Sequence, residues 1–106
     1  MSISLSSIVN PNLGWNQSIQ NVTSSRSASV TYTNSTGSPI FVWVSMGSLN
    51  NGDSIYLYIS GSQVAPFAVS ANASATSTVC GIVPNGASYY ITLAGNASKN
   101  AWYELR

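Results

Sequence analysis

The stretch Val30 to Val44, VTYTNSTGSPIFVWV, decides how the rest of the chain is read. Val30 and Tyr32 alternate with Thr31 and Thr33, and Ile40, Val42 and Val44 alternate with Phe41 and Trp43, so both arms carry the two-residue period of a pleated strand. Between them, Asn34-Ser35-Thr36-Gly37-Ser38-Pro39 combines residues that accept positive φ with a proline that cannot donate into a central ladder. The chain is therefore expected to reverse here as a β-hairpin. The second arm has an unusual off-core face, with Phe41 and Trp43 where a surface strand would place Lys, Glu or Thr. That face is expected to meet another sheet or another chain.

Outward from this stretch the same period recurs. Ile55-Tyr56-Leu57-Tyr58-Ile59 has an aliphatic face suited to a core and a tyrosine face whose rings bury area while their hydroxyls stay available. Val64, Phe67 and Val69 mark a weaker strand broken by Pro66, which places it at a sheet edge or a bulge. Thr78 to Val83 and Ser88 to Ala94 read as strands separated by Pro84-Asn85-Gly86, and Ala101 to Arg106 as the last. Residues 1–14 read as an arm, and Trp15 to Arg26 as a loop or short strand with Trp15 plugged into the domain. No window has the apolar i, i+3, i+4 stripe of an ordinary helix. About seven to eight short strands with frequent turn signals give one all-β domain over residues 1–106, an antiparallel β-sandwich of jelly-roll or Ig-like type.

Composition narrows the function. Charged residues make up 5% of the 106, and they are Arg26, Asp53, Lys99, Glu104 and Arg106. Solubility falls instead to 21 Ser, 7 Thr and 11 Asn. A formal net charge of +1 from three scattered cations gives no footprint for nucleic acid. There is no histidine and only one cysteine, so zinc sites, Cys-His nucleophiles and intrachain disulfides are excluded. Cys80 is expected to be a small buried strand hydrophobe. No apolar run reaches the roughly 18 residues of a membrane helix, and the N-terminus lacks the basic and apolar regions of a signal peptide.

No catalytic constellation stands out. A glycosidase needs two carboxylates facing each other across a cleft, and the spacing of Asp53 and Glu104 suggests nothing of the kind. The serines lack an activating base. The reading is a protein that is not an enzyme and uses no cofactor or metal. Glu104 is expected to pair with Arg26 or Arg106, within or between subunits, the alternative being three solvated charges. For binding, Trp43, Tyr56 and Tyr58 are the candidate sugar-stacking rings, with Asn50, Asn51 and Asp53 supplying hydrogen bonds to hydroxyls; the plainer alternative for each ring is core or subunit interface. With so few charges to guard sheet edges, the edges are expected to be covered by neighbouring subunits.

Several motifs carry a family resemblance. These are Arg26 ahead of Thr31 to Asn34, then Thr36-Gly37, Pro39-Ile40, Val83-Pro84, Gly86-Ala87, Tyr89, Trp102 and the chain end Glu104 to Arg106. Over residues 13 to 106 the chain resembles the C-terminal tip domain of bacteriophage and prophage tail-fibre proteins. Ile19 departs from the family's pattern, standing where a second aromatic is expected. The resemblance implies a β-rich homotrimer at the end of a fibre in the virion tail, attaching the particle to a bacterial surface glycan or outer-membrane protein. Because the chain starts at Met1 with only a short arm, it reads as a fragment of a fibre or a separately encoded small tail protein. The alternatives are a structural component joining other tail proteins and a free-standing sugar-binding lectin.

Overall fold

The computed structural model describes residues 13–49, 53–68, 75–95 and 99–106. Among the described residues, eight strands form two four-stranded sheets. They are β1 (Ile19–Asn21), β2 (Tyr32–Thr33), β3 (Ile40–Leu49), β4 (Ser54–Ile59), β5 (Ser62–Ala68), β6 (Ala75–Val83), β7 (Ser88–Ala94) and β8 (Lys99–Leu105). A 3₁₀ turn, Thr23–Ser25, follows β1. The front sheet has the order β1-β8-β3-β6 and the back sheet β2-β7-β4-β5.

The antiparallel pairs nest: β1 with β8, β2 with β7, β3 with β6 and β4 with β5. Further antiparallel pairs, β3 with β8 and β4 with β7, join these into sheets. Consecutive strands β1 and β2 fall in opposite sheets, whereas an immunoglobulin sandwich keeps its first two strands side by side. The fold is an eight-stranded jelly roll.

The stretch from Val30 to Val44 is a corner between sheets, and the expected hairpin does not form. Tyr32 and Thr33 pair with Tyr89 and Ser88 of β7, while Ile40 onward pairs with β6 and β8. The turn residues do mark a change of direction, but a hairpin would have kept both arms in one sheet. Here Gly37 at φ +90° and Pro39 carry the chain across, and the buried Asn34 side chain takes over the bonding that a ladder would have supplied.

Strand alternation builds the core. Ile40, Val42, Val44 and Met46 of β3, Val79 and Val83 of β6, and Trp102 of β8 meet Ile55 and Leu57 of β4 and Tyr89 and Ile91 of β7, all buried. Burying each large aliphatic side chain contributes roughly 1.5–3 kcal/mol. Gly81 lets the sheets approach, because a Cβ there would lie 3.0 Å from Ile59 Cδ1 and 3.3 Å from Leu57 Cδ2.

Two single-residue expectations are corrected. Cys80 is exposed, because Val79, Gly81 and Val83 take the inward parity of β6 and turn Cys80 and Ile82 outward. Trp15 is 63% exposed and plugs nothing among the described residues: the core is already filled by Trp102 from β8, and Trp15 sits in the turn before β1. Pro66 falls on β5, an edge strand, where a missing N–H is tolerated.

Candidate functional site

Two polar knots inside the sandwich absorb most of the motif residues. The first surrounds Glu104, which is fully buried. Along β8 the two-residue period puts Trp102 and Glu104 on the same inward face, and Trp102 Nε1 donates to Glu104 Oε2 at 3.1 Å. Tyr89 Oη donates to the same oxygen at 2.9 Å. Arg26 grips the carboxylate with both arms of its fork, Nε to Oε2 and Nη2 to Oε1, each at 3.2 Å. Arg106 Nη1 adds a fifth bond to Oε1 at 2.9 Å. Burying a carboxylate is costly unless its lone pairs are filled and its charge is matched; this one meets both conditions.

Aromatic rings enclose this knot. The Arg26 guanidinium lies 4.7 Å from the centroid of the Tyr32 ring, which meets Trp102 edge-on at 5.8 Å. Burial opposes the Arg26 charge, but its hydrogen bonds to Glu104 and the Glu104 charge outweigh this and raise its pKa above the ordinary value. Burial, reinforced by the neighbouring carboxylate, pushes the Tyr89 phenol up to about 12. Arg26 and Tyr89 are thereby both held in their protonated forms. The Lys99 ammonium donates to the backbone carbonyls of Thr23 and Arg26, tying the 3₁₀ turn and the approach to Arg26 onto β8.

The second knot is Asn34, also fully buried. Its Nδ2 donates to the carbonyls of Ser38 at 2.8 Å and Val83 at 2.9 Å, and its Oδ1 accepts from the Thr36 backbone N–H and hydroxyl. The Gly37 N–H donates to Asn85 Oδ1 at 2.9 Å, and the Gly86 N–H to the Asn34 carbonyl at 2.7 Å. Asn34 thus clasps the β2–β3 corner to the β6–β7 corner. These are the two segments in which the sequence motifs concentrate.

With the motif residues occupied internally, the surfaces left for contact are the outer faces of the sheets. The front face gathers Ile19, Phe41, Trp43, Cys80, Ile82, Tyr103 and Leu105. Trp43 stacks on Tyr103 at 5.7 Å and 16° and packs against Phe41 at 5.5 Å. An open groove of about 420 Å³ lies here, lined by Ile19, Phe41, Trp43, Thr78, Cys80 and Leu105. Ile19 is 66% and Ile82 53% exposed. The back face carries Tyr56, Tyr58, Tyr90, Thr92 and Gln63, with Tyr58 and Tyr90 stacked at 4.7 Å and 14°. None of these outward residues is charged.

The candidate binding residues do not form one platform. Trp43 points out of the front sheet, and Tyr56 and Tyr58 out of the back sheet, with the core between them. Asp53 is 3% exposed, so it does not offer its carboxylate at the surface. Asn50 and Asn51 lie outside the described residues. Arg26 and Glu104 form an intrachain ion pair, and Arg106 joins it. In comparisons of the chain with protein-family models, curated proteins and solved structures, no match was found.

The front-face aliphatics Ile19, Cys80, Ile82 and Leu105 escaped the sequence reading. In β6 both parities are apolar, Val79-Gly81-Val83 against Cys80-Ile82, so alternation cannot say which faces in. Gln63 was missed because only its register opposite Tyr58 brings it to the tyrosines. Among the described residues no group of three His, Cys, Asp or Glu side chains could hold a metal, and no helix is long and apolar enough to cross a membrane.

Proposed function

We propose that this domain is the receptor-binding tip of a phage or phage-like tail fibre, acting by adhesion without catalysis. One observation carries the reading: the chain ties up the Glu104 carboxylate, the Arg26 guanidinium and the Asn34 amide inside, and turns stacked aromatic rings outward on both sheets. A catalytic domain needs polar groups free to act on a substrate. A contact domain needs aromatic area, and Tyr and Trp supply it at low cost in conformational entropy. The motifs of the resemblance fit this division, since Arg26, Asn34, Tyr89, Trp102 and Glu104 are used inside the fold. A homotrimer in the virion tail would multiply weak contacts into useful avidity.

The test is adsorption of the purified protein to a panel of bacteria, with its solution mass measured by light scattering. Saturable adsorption to some strains by an oligomer supports the reading; adsorption to none overturns it. The ≈ 420 Å³ apolar groove on the front face favours a second reading, a structural component joining other tail proteins. Co-purification with tail proteins and no adsorption to cells would select it.

A further inference from the structure

The way the five charges are used says what chemistry the receptor has, if the adhesin reading holds. Arg26, Arg106 and Glu104 hold one another. Lys99 is bound to two backbone carbonyls, and Asp53 is buried. Every charged side chain of the chain is thus committed to the protein's own interior or backbone. A receptor rich in phosphates or uronic acids would find no cationic patch to meet it. Electrostatic complementarity here means a neutral partner.

The two outer faces differ in what they offer such a partner. On the back sheet Tyr58 stands opposite Tyr90 on one side and Gln63 on the other, and Tyr56 stands opposite Thr92. The five side chains therefore form one patch. Tyr58 Oη makes a long contact of 3.4 Å with Gln63 Oε1, and among the described residues the Tyr56 and Tyr90 hydroxyls have no hydrogen-bond partner. The patch thus combines aromatic surface with hydroxyl and amide groups facing solvent. Those are the two things a pyranose requires, rings for its C–H faces and donors and acceptors for its hydroxyls. The front face is dominated instead by Ile19, Phe41, Trp43, Cys80 and Leu105 around its groove, with few such polar groups.

We propose that the back-sheet patch of Tyr56, Tyr58, Tyr90, Thr92 and Gln63 binds a neutral hexose-based surface polysaccharide. This rests on the adhesin reading, and the experiment separates the two. Wild-type protein is first adsorbed to bacterial strains, then titrated calorimetrically with neutral polymers (mannan, galactan, glucan, rhamnan) and with a polyuronate, at low and high NaCl. Binding to a neutral polymer is expected, with a Kd changing less than about twofold with salt, because no charge pair is there to be screened. Tyr58→Ala and Tyr90→Ala should weaken it by roughly tenfold or more, as loss of a central aromatic anchor does.

Tyr56→Phe and Tyr90→Phe keep the rings and remove only hydroxyls, so they remain informative even if the alanine variants unfold. Each should cost about 3- to 10-fold, the worth of one hydrogen bond. Trp15→Ala, in the exposed turn before β1, should leave the Kd within about twofold, since surface changes outside the interface are near neutral. Adsorption to cells that survives all four tyrosine substitutions overturns the proposal while leaving the adhesin reading intact. So does adsorption without binding to any neutral polymer, or a salt-sensitive preference for the polyuronate. Failure to adsorb to any strain overturns both.

Discussion

The Glu104 knot and the outer sheet faces reverse the usual division of a soluble protein. Charges ordinarily cover the surface and aromatics fill the core. Here Glu104 is among the most deeply buried side chains, with Arg26 and Arg106 against it, while Phe41, Trp43, Tyr56, Tyr58, Tyr90 and Tyr103 point outward. The difference teaches that polarity in this chain serves architecture and aromatic area serves contact. Substitutions in the knots should therefore change stability, and substitutions on the faces should change binding.

Glu104→Gln is the severest test of that division. It leaves two guanidinium groups without a counter-charge, and breaking a buried pair in this way costs about 3–5 kcal/mol. A denaturant midpoint unchanged from wild type would show that the knot has no structural weight. Asn34→Ala comes next. It takes the Asn34 amide from the buried Val83 carbonyl, while the Ser38 carbonyl keeps the Thr36 hydroxyl, and the loss should be about 1–3 kcal/mol, the range for one buried group left unsatisfied.

Alkaline pH probes the same knot without a mutation. The Tyr89 phenol titrates near 10 in the unfolded chain and is raised to about 12 in the fold. Its stabilising contribution is complete below pH 10 and falls away as pH rises towards 12, because the unfolded chain gives up its proton first. The expected decline is on the order of 2–3 kcal/mol, at about 1.4 per pKa unit. Melting curves collected from pH 8 to 12 should show it, and Tyr89→Phe should flatten that slope. A wild-type curve as flat as the variant's would remove Tyr89 from the knot's energetics.

Gly81→Ala tests the contact between sheets. The new methyl meets the ends of two flexible side chains, so a loss of about 1 kcal/mol is expected, at the low end for overpacking. Smallest of all, Tyr58→Phe should shift stability by no more than about 0.5 kcal/mol, as surface changes do. If it unfolded the domain, the back face could no longer be treated as a contact surface independent of the fold.

Much of the fold was legible in the sequence because strand alternation is a local signal. Ile55-Leu57 against Tyr56-Tyr58 and Tyr89-Ile91 against Tyr90-Thr92 divide by parity, and the structure divides them the same way. The partner of each strand was not legible. Nothing between Val30 and Val44 says whether a turn closes a hairpin or crosses to the other sheet. What decides it is the Asn34 amide reaching the Val83 carbonyl 49 residues away. The candidate site suffered from the same limit. Trp43 and Tyr58 look alike as outward aromatics on neighbouring strands, and only the knowledge that β3 and β4 lie in different sheets sends them to opposite sides. Cys80 was misplaced because an apolar residue in a strand apolar on both parities leaves no sign of its orientation.

The nested pairing also sets an order for folding. The β4–β5 pair closes across Ser60 and Gly61 alone, so it costs little chain entropy and can form early. Each pair outside it encloses a longer loop, and β1–β8 encloses nearly all of them. Arg26 and Glu104, 78 residues apart, can meet only at the end. Until residues 102–106 have emerged from the ribosome, a nascent chain lacks Trp102, Glu104 and Arg106, and so cannot close its charged knot.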